Sequence, residues 1–251
     1  MKRQRLNWQE KVRKNVRKIM DFEHVKAVFE EYLNGYDREN DKVKLKIVHT
    51  YGVIRCSEEI GRRMGLQAED MELAKLIALL HDIGRFEQLK RFNSFEADTM
   101  DHATYGVQVL FEEGMIRQFI EEDTWDDVIR TAIAKHSDYE LTGITDERTL
   151  LHARLIRDAD KLDNCRVKLE DAMETLLDLS ADEVGKYAIS PKVREDAFAG
   201  KCICSKDRRT PMDYWVSYVA YFYDLNFRET LDIVAEEQYV KRIIGRVPYT
   251  N

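Results

Sequence analysis

Helix breakers are scarce in this chain. Three prolines and eleven glycines in 251 residues leave long stretches that nothing interrupts, and abundant Leu, Ile, Ala, Glu, Lys and Arg predict a mostly helical protein. Cysteine is also scarce. Cys56, Cys165, Cys202 and Cys204 are scattered, which argues against a disulfide framework and for a reducing, cytoplasmic setting. Cys202 and Cys204 lack the second pair that a thiolate metal site would need, so they read as spectator thiols. No run approaches the ~20 apolar residues that span a membrane. Positive charge is not in excess, since the net charge is −7, and no clear nucleic-acid site follows from composition. The exception is "MKRQRLNWQEKVRKNVRKIM", with eight Lys/Arg against one Glu. It lacks the apolar core of a signal peptide, and Val12, Val16 and Ile19 space it as a solvated amphipathic helix.

What is present is helical periodicity. Helices are expected over 20–33, 42–64, 69–82, from Thr99 or Asp101 to about 113, 124–136 and 147–164. The helical pattern continues over 165–190. "ISPKVREDAFAGKCICSKDRRTPMD" is the least regular segment and is read as loop or short strands, closed by the N-cap Thr210 with Pro211 behind it. Two final helices cover "MDYWVSYVAYFYDL" and "RETLDIVAEEQYVKRIIGR".

The segment "LIALLHDIGRFEQ" raises the functional question, because an aliphatic helix bound for the core ends in His81 and Asp82. A buried carboxylate is costly unless it is paired or coordinates a metal. His49 lies on the apolar stripe of its helix, His102 in the first turn of another, and His136 continues the stripe Ile129, Ala132, Ile133. Asp160 follows Ala153 and Ile156 at the same spacing. Each alone reads as a hydrogen-bonded core residue. Several such groups on separate helices are most cheaply buried around a shared cation. Gly52 and Gly106, beside His49 and His102, would let other helices approach closely. An imidazole and carboxylate set suits several divalent metals without choosing among them.

The arrangement His49, His81-Asp82, Asp160, with the wording "LIALLHDIGRFEQ" and "LIRDADKLDN", resembles the HD superfamily of metal-dependent phosphohydrolases over roughly residues 40–165. The resemblance implies an all-α HD-domain helical bundle. It would form one domain over 1–251, with a metal-binding core at about 40–165 and accessory helices over 1–35 and 166–251. His102 and His136 resemble the two extra ligands of binuclear members such as the HD-GYP phosphodiesterases. By that similarity one metal takes His49, His81, Asp82 and Asp160, and Asp82 bridges to a second held by His102 and His136. One or two divalent ions (Mn, Fe, Mg, Ni, Co or Zn) are implied, with a hydroxide held between two metals ~3.5–4 Å apart as nucleophile. Arg85 stands where HD-GYP members often carry Lys and is expected to assist catalysis by binding phosphate. The competing reading makes it a cap on its own helix's C-terminal carbonyls.

Lys161 and Asp163 are expected to support the ligands, His24 and His152 to be structural, and Lys206, Arg208 and Arg209 to be further phosphate-binding candidates. The aromatic stretch Tyr214 to Tyr223 reads as core. No Gly-Tyr-Pro segment follows His136, so cyclic-dinucleotide hydrolysis is not implied. Arg85 and Phe86 replace the acidic pair of the alarmone hydrolase branch. The expectation is therefore a cytoplasmic phosphatase or phosphodiesterase acting on a nucleotide or other small phosphorylated metabolite, with homo-oligomerisation left open. Two alternatives are an HD-type di-iron oxygenase and a non-catalytic nucleotide-binding sensor.

Overall fold

Asn40 starts the helix that carries His49: its side-chain oxygen accepts from the N–H groups of Lys42 and Val43, and Gly65 ends the same helix at φ 72°. The computed structural model describes residues 20–96 and 98–248. Among them every regular element is helical and none is a strand. The N-terminal amphipathic segment with Val12, Val16 and Ile19 lies outside the described residues.

The first helices are α1 (Phe22–Leu33), α2 (Asp41–Met64), α3 (Ala68–Leu80), α4 (Ile83–Phe92) and α5 (His102–Val107), which runs into a π turn at Gln108–Glu112. Next come α6 (Ile116–Phe119), α7 (Asp126–Lys135) and α8 (Glu147–Glu170). The remainder is α9 (Met173–Leu177), α10 (Ala181–Val184), α11 (Pro191–Phe198), α12 (Pro211–Val219), α13 (Arg228–Glu236) and α14 (Tyr239–Gly245). None of the helices is long and apolar enough to cross a membrane.

The central packing is α2 along α8, with α3 against both, α7 on α8, and α4 against α5. In α3, Leu73, Ala74 and all of Leu76 to Leu80 are buried, so the C-terminal half of this helix is delivered into the core. Phe29, Ile83 and Phe86 continue the same apolar cluster. Each such side chain contributes about 1.5–3 kcal/mol by leaving water. Two smaller clusters, around Trp215 and around Val193, Ile203 and Ala220, lie in the C-terminal segment. Ile233 and Val234 of α13 return to the main core.

Two glycines mark the closest helix contacts. A Cβ on Gly52 would sit 2.0 Å from Asp163 Oδ1, so α8 presses onto α2 beside His49. A Cβ on Gly84 would sit 2.2 Å from the His102 carbonyl oxygen, so the start of α5 rests on α4.

The structure differs from the sequence reading at several boundaries. The expected helix 69–82 stops at Leu80, and α4 starts again at Ile83, because His81 Nδ1 meets the Ala78 carbonyl at 2.7 Å and closes the last turn. The helical pattern over 165–190 is interrupted by Asp178 at φ 56° and by a capping box, in which Ser180 and Glu183 restart the chain as α10. The segment read as loop or strand contains α11, begun by Pro191, and a short 3₁₀ turn at Ser205–Asp207. Gln238, at φ 53°, splits the last expected helix into α13 and α14.

Asp158 ties α13 to α8. Its buried carboxylate accepts from Asn226 N (3.0 Å), Asn226 Nδ2 (2.8 Å), Phe227 N (3.0 Å) and Thr230 Oγ1 (2.8 Å). Asp158→Ala would leave these donors unsatisfied. It is expected to lower unfolding stability by about 2–4 kcal/mol in a denaturant titration, and an unchanged midpoint would contradict this account of the anchor.

Candidate metal centre

The end of α3 and the start of α4 bring His81 and Asp82 to a point where α2, α5, α7 and α8 converge. His49 comes from the middle of α2, His102 from the first residue of α5, His136 from just past the end of α7, and Asp160 from α8. Ligand atoms of His49, His81 and Asp160 all lie within 4.8 Å of one another, as do those of Asp82, His102 and His136. Each triplet could hold one ion.

Asp82 joins the two triplets. Its Oδ1 lies 3.2 Å from His102 Nε2 and 3.6 Å from His136 Nε2. Its Oδ2 lies 3.5 Å from His81 Nε2 and 4.0 Å from His49 Nε2. Asp160 Oδ1 is 2.9 Å from His49 Nε2 and 3.8 Å from His81 Nε2. One carboxylate thus turns an oxygen to each triplet.

The outer nitrogens show how these rings are held. His81 Nδ1 is 2.7 Å from the Ala78 carbonyl, and His136 Nδ1 is 2.7 Å from that of Ile133. A carbonyl only accepts, so both rings carry their proton on Nδ1 and turn the Nε2 lone pair inward. His49 Nδ1 lies 2.8 Å from Asp163 Oδ2, a carboxylate–imidazole pairing of the kind that orients ligating histidines. Asp163 is in turn gripped by Arg166 at 2.8 Å, and Asn164 donates to Asp160 Oδ1 at 3.0 Å.

One atom tests directly whether these residues suit a cation. His81 Nε2 is buried, faces both carboxylates, and has no hydrogen-bond partner. A lone pair orphaned at the meeting point of two carboxylates is what a divalent ion would satisfy. The donor set fits.

The electrostatics agree. Burial pushes the Asp82 carboxyl up, but Lys46 and the surrounding imidazoles override it and hold the group well below the carboxylate range. Burial likewise opposes ionisation of Asp160, and the His49 hydrogen bond reverses the effect. Burial and the Arg85 guanidinium push His102 down to about 3, which keeps its imidazole neutral and able to act as a ligand.

Around this centre lies a cavity of about 680 Å³. Arg85 lines it, its Nη2 donating to His102 Nε2 at 3.0 Å and its Nη1 reaching Gln88 and the Phe95 carbonyl. Its Nε is buried without a hydrogen-bond acceptor and forms a long ion pair with Asp82 Oδ1 at 3.8 Å. The guanidinium sits in the first turn of α4, so it does not cap the carbonyls at the end of α3. Lys206 and Arg208 also line the cavity. Arg209 does not: it is exposed, and only its backbone N–H is engaged, with Asp213. His24 meets the Gln118 carbonyl on the surface and His152 meets Asp70 at 3.1 Å, both apart from the two triplets. Of the aromatic stretch, Trp215 is core, whereas Tyr214, Tyr218 and Tyr221 face the cavity.

Sequence reasoning missed Lys46, whose ammonium pairs with Asp82 Oδ2. Its position three residues before His49, on the same face of α2, was the available signal. It also missed Asp224, which receives both Arg157 (2.8 Å) and Lys161 (2.7 Å) at the cavity wall. No local pattern marks that residue.

Ribonuclease Y from Acetivibrio thermocellus is 30% identical over 165 residues, which cover 62% of this chain and 27% of that protein. The match therefore spans little more than a quarter of that relative. No solved structure matches. The HD domain family model matches residues 47–165, the stretch that supplies every residue of both triplets. That stretch, just under half of the chain, is similar to the HD domain family.

Proposed function

We propose that this chain hydrolyses a phosphoester of a nucleotide or another small phosphorylated metabolite, using two divalent metals. One would be held by His49, His81, Asp82 and Asp160, and the other by Asp82, His102 and His136. The observation that carries this reading is the buried Asp82 carboxylate, with one oxygen turned to each triplet at the wall of a cation-lined cavity. When bound, paired divalent ions supply Lewis acidity that polarises a phosphoryl oxygen and acidifies water.

The chain's own residues do the rest. Asp163, Asn164 and the carbonyls of Ala78 and Ile133 fix the ligating side chains before substrate arrives. Arg85 offers a phosphate oxygen its Nε–H, which has no hydrogen-bond acceptor in the protein. The relative's name describes an enzyme acting on RNA. A cavity of about 680 Å³ on a chain of net charge −7 favours a small substrate over a polymer.

A panel of phosphatase and phosphodiesterase substrates, run against Mn, Mg, Ni and Co with dioxygen uptake followed in parallel, tests the reading. Phosphate or alcohol release without dioxygen uptake is expected. Dioxygen consumption by a di-iron form without hydrolysis would overturn it.

Arg85→Ala is expected to leave metal content intact and lower catalytic efficiency roughly ten- to a hundred-fold, as expected for about 1.5–3 kcal/mol from an ionised donor to phosphate. Arg85→Lys should recover part of the loss, keeping the charge without the planar fork. A lower melting temperature with unchanged kinetics would make Arg85 structural.

A further inference from the structure

Eight residues beyond Asp160, about 12 Å further along α8, Lys168 lines the same cavity. It is 2% exposed, yet no carboxylate forms an ion pair with it among the described residues. Its ammonium lies 3.9 Å from the centre of the Tyr218 ring. Arg208 stands at the same end, 4.2 Å from the centre of the Tyr214 ring, and it too lacks a carboxylate. The cations nearer the metal centre are different: Lys46 is matched by Asp82, and Lys161 and Arg157 by Asp224. The exposed Lys206 apart, Lys168 and Arg208 are thus the cations of this cavity that share no carboxylate, and Lys168 stands further along α8 than Asp160.

Burial pushes the Lys168 ammonium down and Tyr218 supports it; an anion in the cavity would supply the counter-charge that it lacks. The aromatic seats keep both cations in place by cation–π attraction without neutralising them. Tyr218 reports the resulting field. Burial alone would push its phenol up, and Lys168 and Arg208 together bring it below its ordinary value.

We propose that Lys168 and Arg208 form a second anion subsite, which binds a non-reacting phosphate of the substrate while the scissile ester sits at the histidine–aspartate centre. The inference rests on the phosphohydrolase reading and narrows its substrate class. Asp160 and Lys168 lie about 12 Å apart along α8, so a phosphate held by Lys168 is distinct from the one at the histidine–aspartate centre. Lys206, which also lines the cavity but is exposed, would add to the attraction at the entrance. Arg209 takes no part.

The test is calorimetric binding of adenosine 3′,5′-bisphosphate and adenosine 5′-monophosphate to the manganese-loaded full chain, with phosphate release measured on both. The bisphosphate is expected to bind at least about tenfold more tightly, since a charge-assisted contact of this kind is worth a factor of ten or more. Lys168→Met, and separately the partly exposed Arg208→Gln, should reduce bisphosphate affinity about tenfold and leave monophosphate affinity unchanged. Lys168→Arg should retain the preference. Equal affinity for the two probes, or variants that weaken both alike, would overturn the subsite. Phosphate release with equal affinities would sink the subsite alone. Variant-sensitive bisphosphate preference without release from any substrate would sink the phosphohydrolase reading and leave the subsite standing.

Discussion

Asp82→Ala is expected to abolish turnover, by more than about 10³-fold, and to empty at least one of the two proposed metal positions. Losing an outer partner of a metal ligand typically costs roughly 10–100-fold in affinity or activity. Asp82 is more than that: it is the carboxylate whose two oxygens face both triplets. Its removal also strips Lys46 of its counter-ion. Breaking a buried pair from one side costs about 3–5 kcal/mol, so some loss of melting temperature accompanies the effect. Asp82→Asn separates the two contributions. It keeps the volume and one acceptor oxygen while removing the charge, and should retain helical content by circular dichroism with turnover still lost. Wild-type activity in a well-folded Asp82→Asn protein would show that Asp82 holds no metal.

The second large effect comes from the two glycines. Gly84→Ala would place a methyl group 2.2 Å from the His102 carbonyl oxygen and 2.7 Å from Gly106 N, both backbone atoms that cannot swing away. Overpacking of this kind costs about 1–3 kcal/mol or more. The relief available is for α5 to lift off α4 and carry His102 away from Asp82. Metal content should then fall from two ions toward one, with hydrolysis falling alongside. Gly52→Ala meets a side chain instead, the Asp163 carboxylate at 2.0 Å. Displacing Asp163 frees the His49 ring, so this variant should weaken the His49–Asp160 position by roughly 10–100-fold in metal affinity while His102 and His136 stay in place. If both variants bind metal as the wild type does, close helix approach does not position these ligands.

Much of this site was legible in the sequence because each participant is a polar residue on an otherwise apolar helical stripe. His49, His136 and Asp160 stand out for that reason, and His81-Asp82 stands out at the end of a helix whose last five residues are all buried. Asp163 followed from its place beside Asp160 and meets His49, whereas Lys161, expected to support the ligands too, pairs with Asp224 instead. The residues that escaped depend on contacts distant in sequence. Asp224 reaches Lys161 and Arg157 across more than sixty residues. Lys168 looks like any lysine near a helix end until α12 covers it with Tyr218. The assignment of Tyr214, Tyr218 and Tyr221 to the core failed for the same reason, since helical spacing does not tell a core face from a cavity wall. Fold boundaries follow a parallel division. Caps with a chemical signature, such as Thr210 with Pro211, were readable. The breaks at Asp178 and Gln238 place non-glycine residues at positive φ, and no composition announces them.

The measurement that bears most directly on the central claim is the metal content of the full chain, purified without chelator and then saturated with manganese. It should be determined by elemental analysis beside Asp82→Asn and the Gly84→Ala and Gly52→Ala pair. The account predicts an approach to two ions per wild-type chain, with the variants reduced. A single ion that persists at saturation, indifferent to Gly84→Ala, would contradict it and return His102 and His136 to the ordinary core.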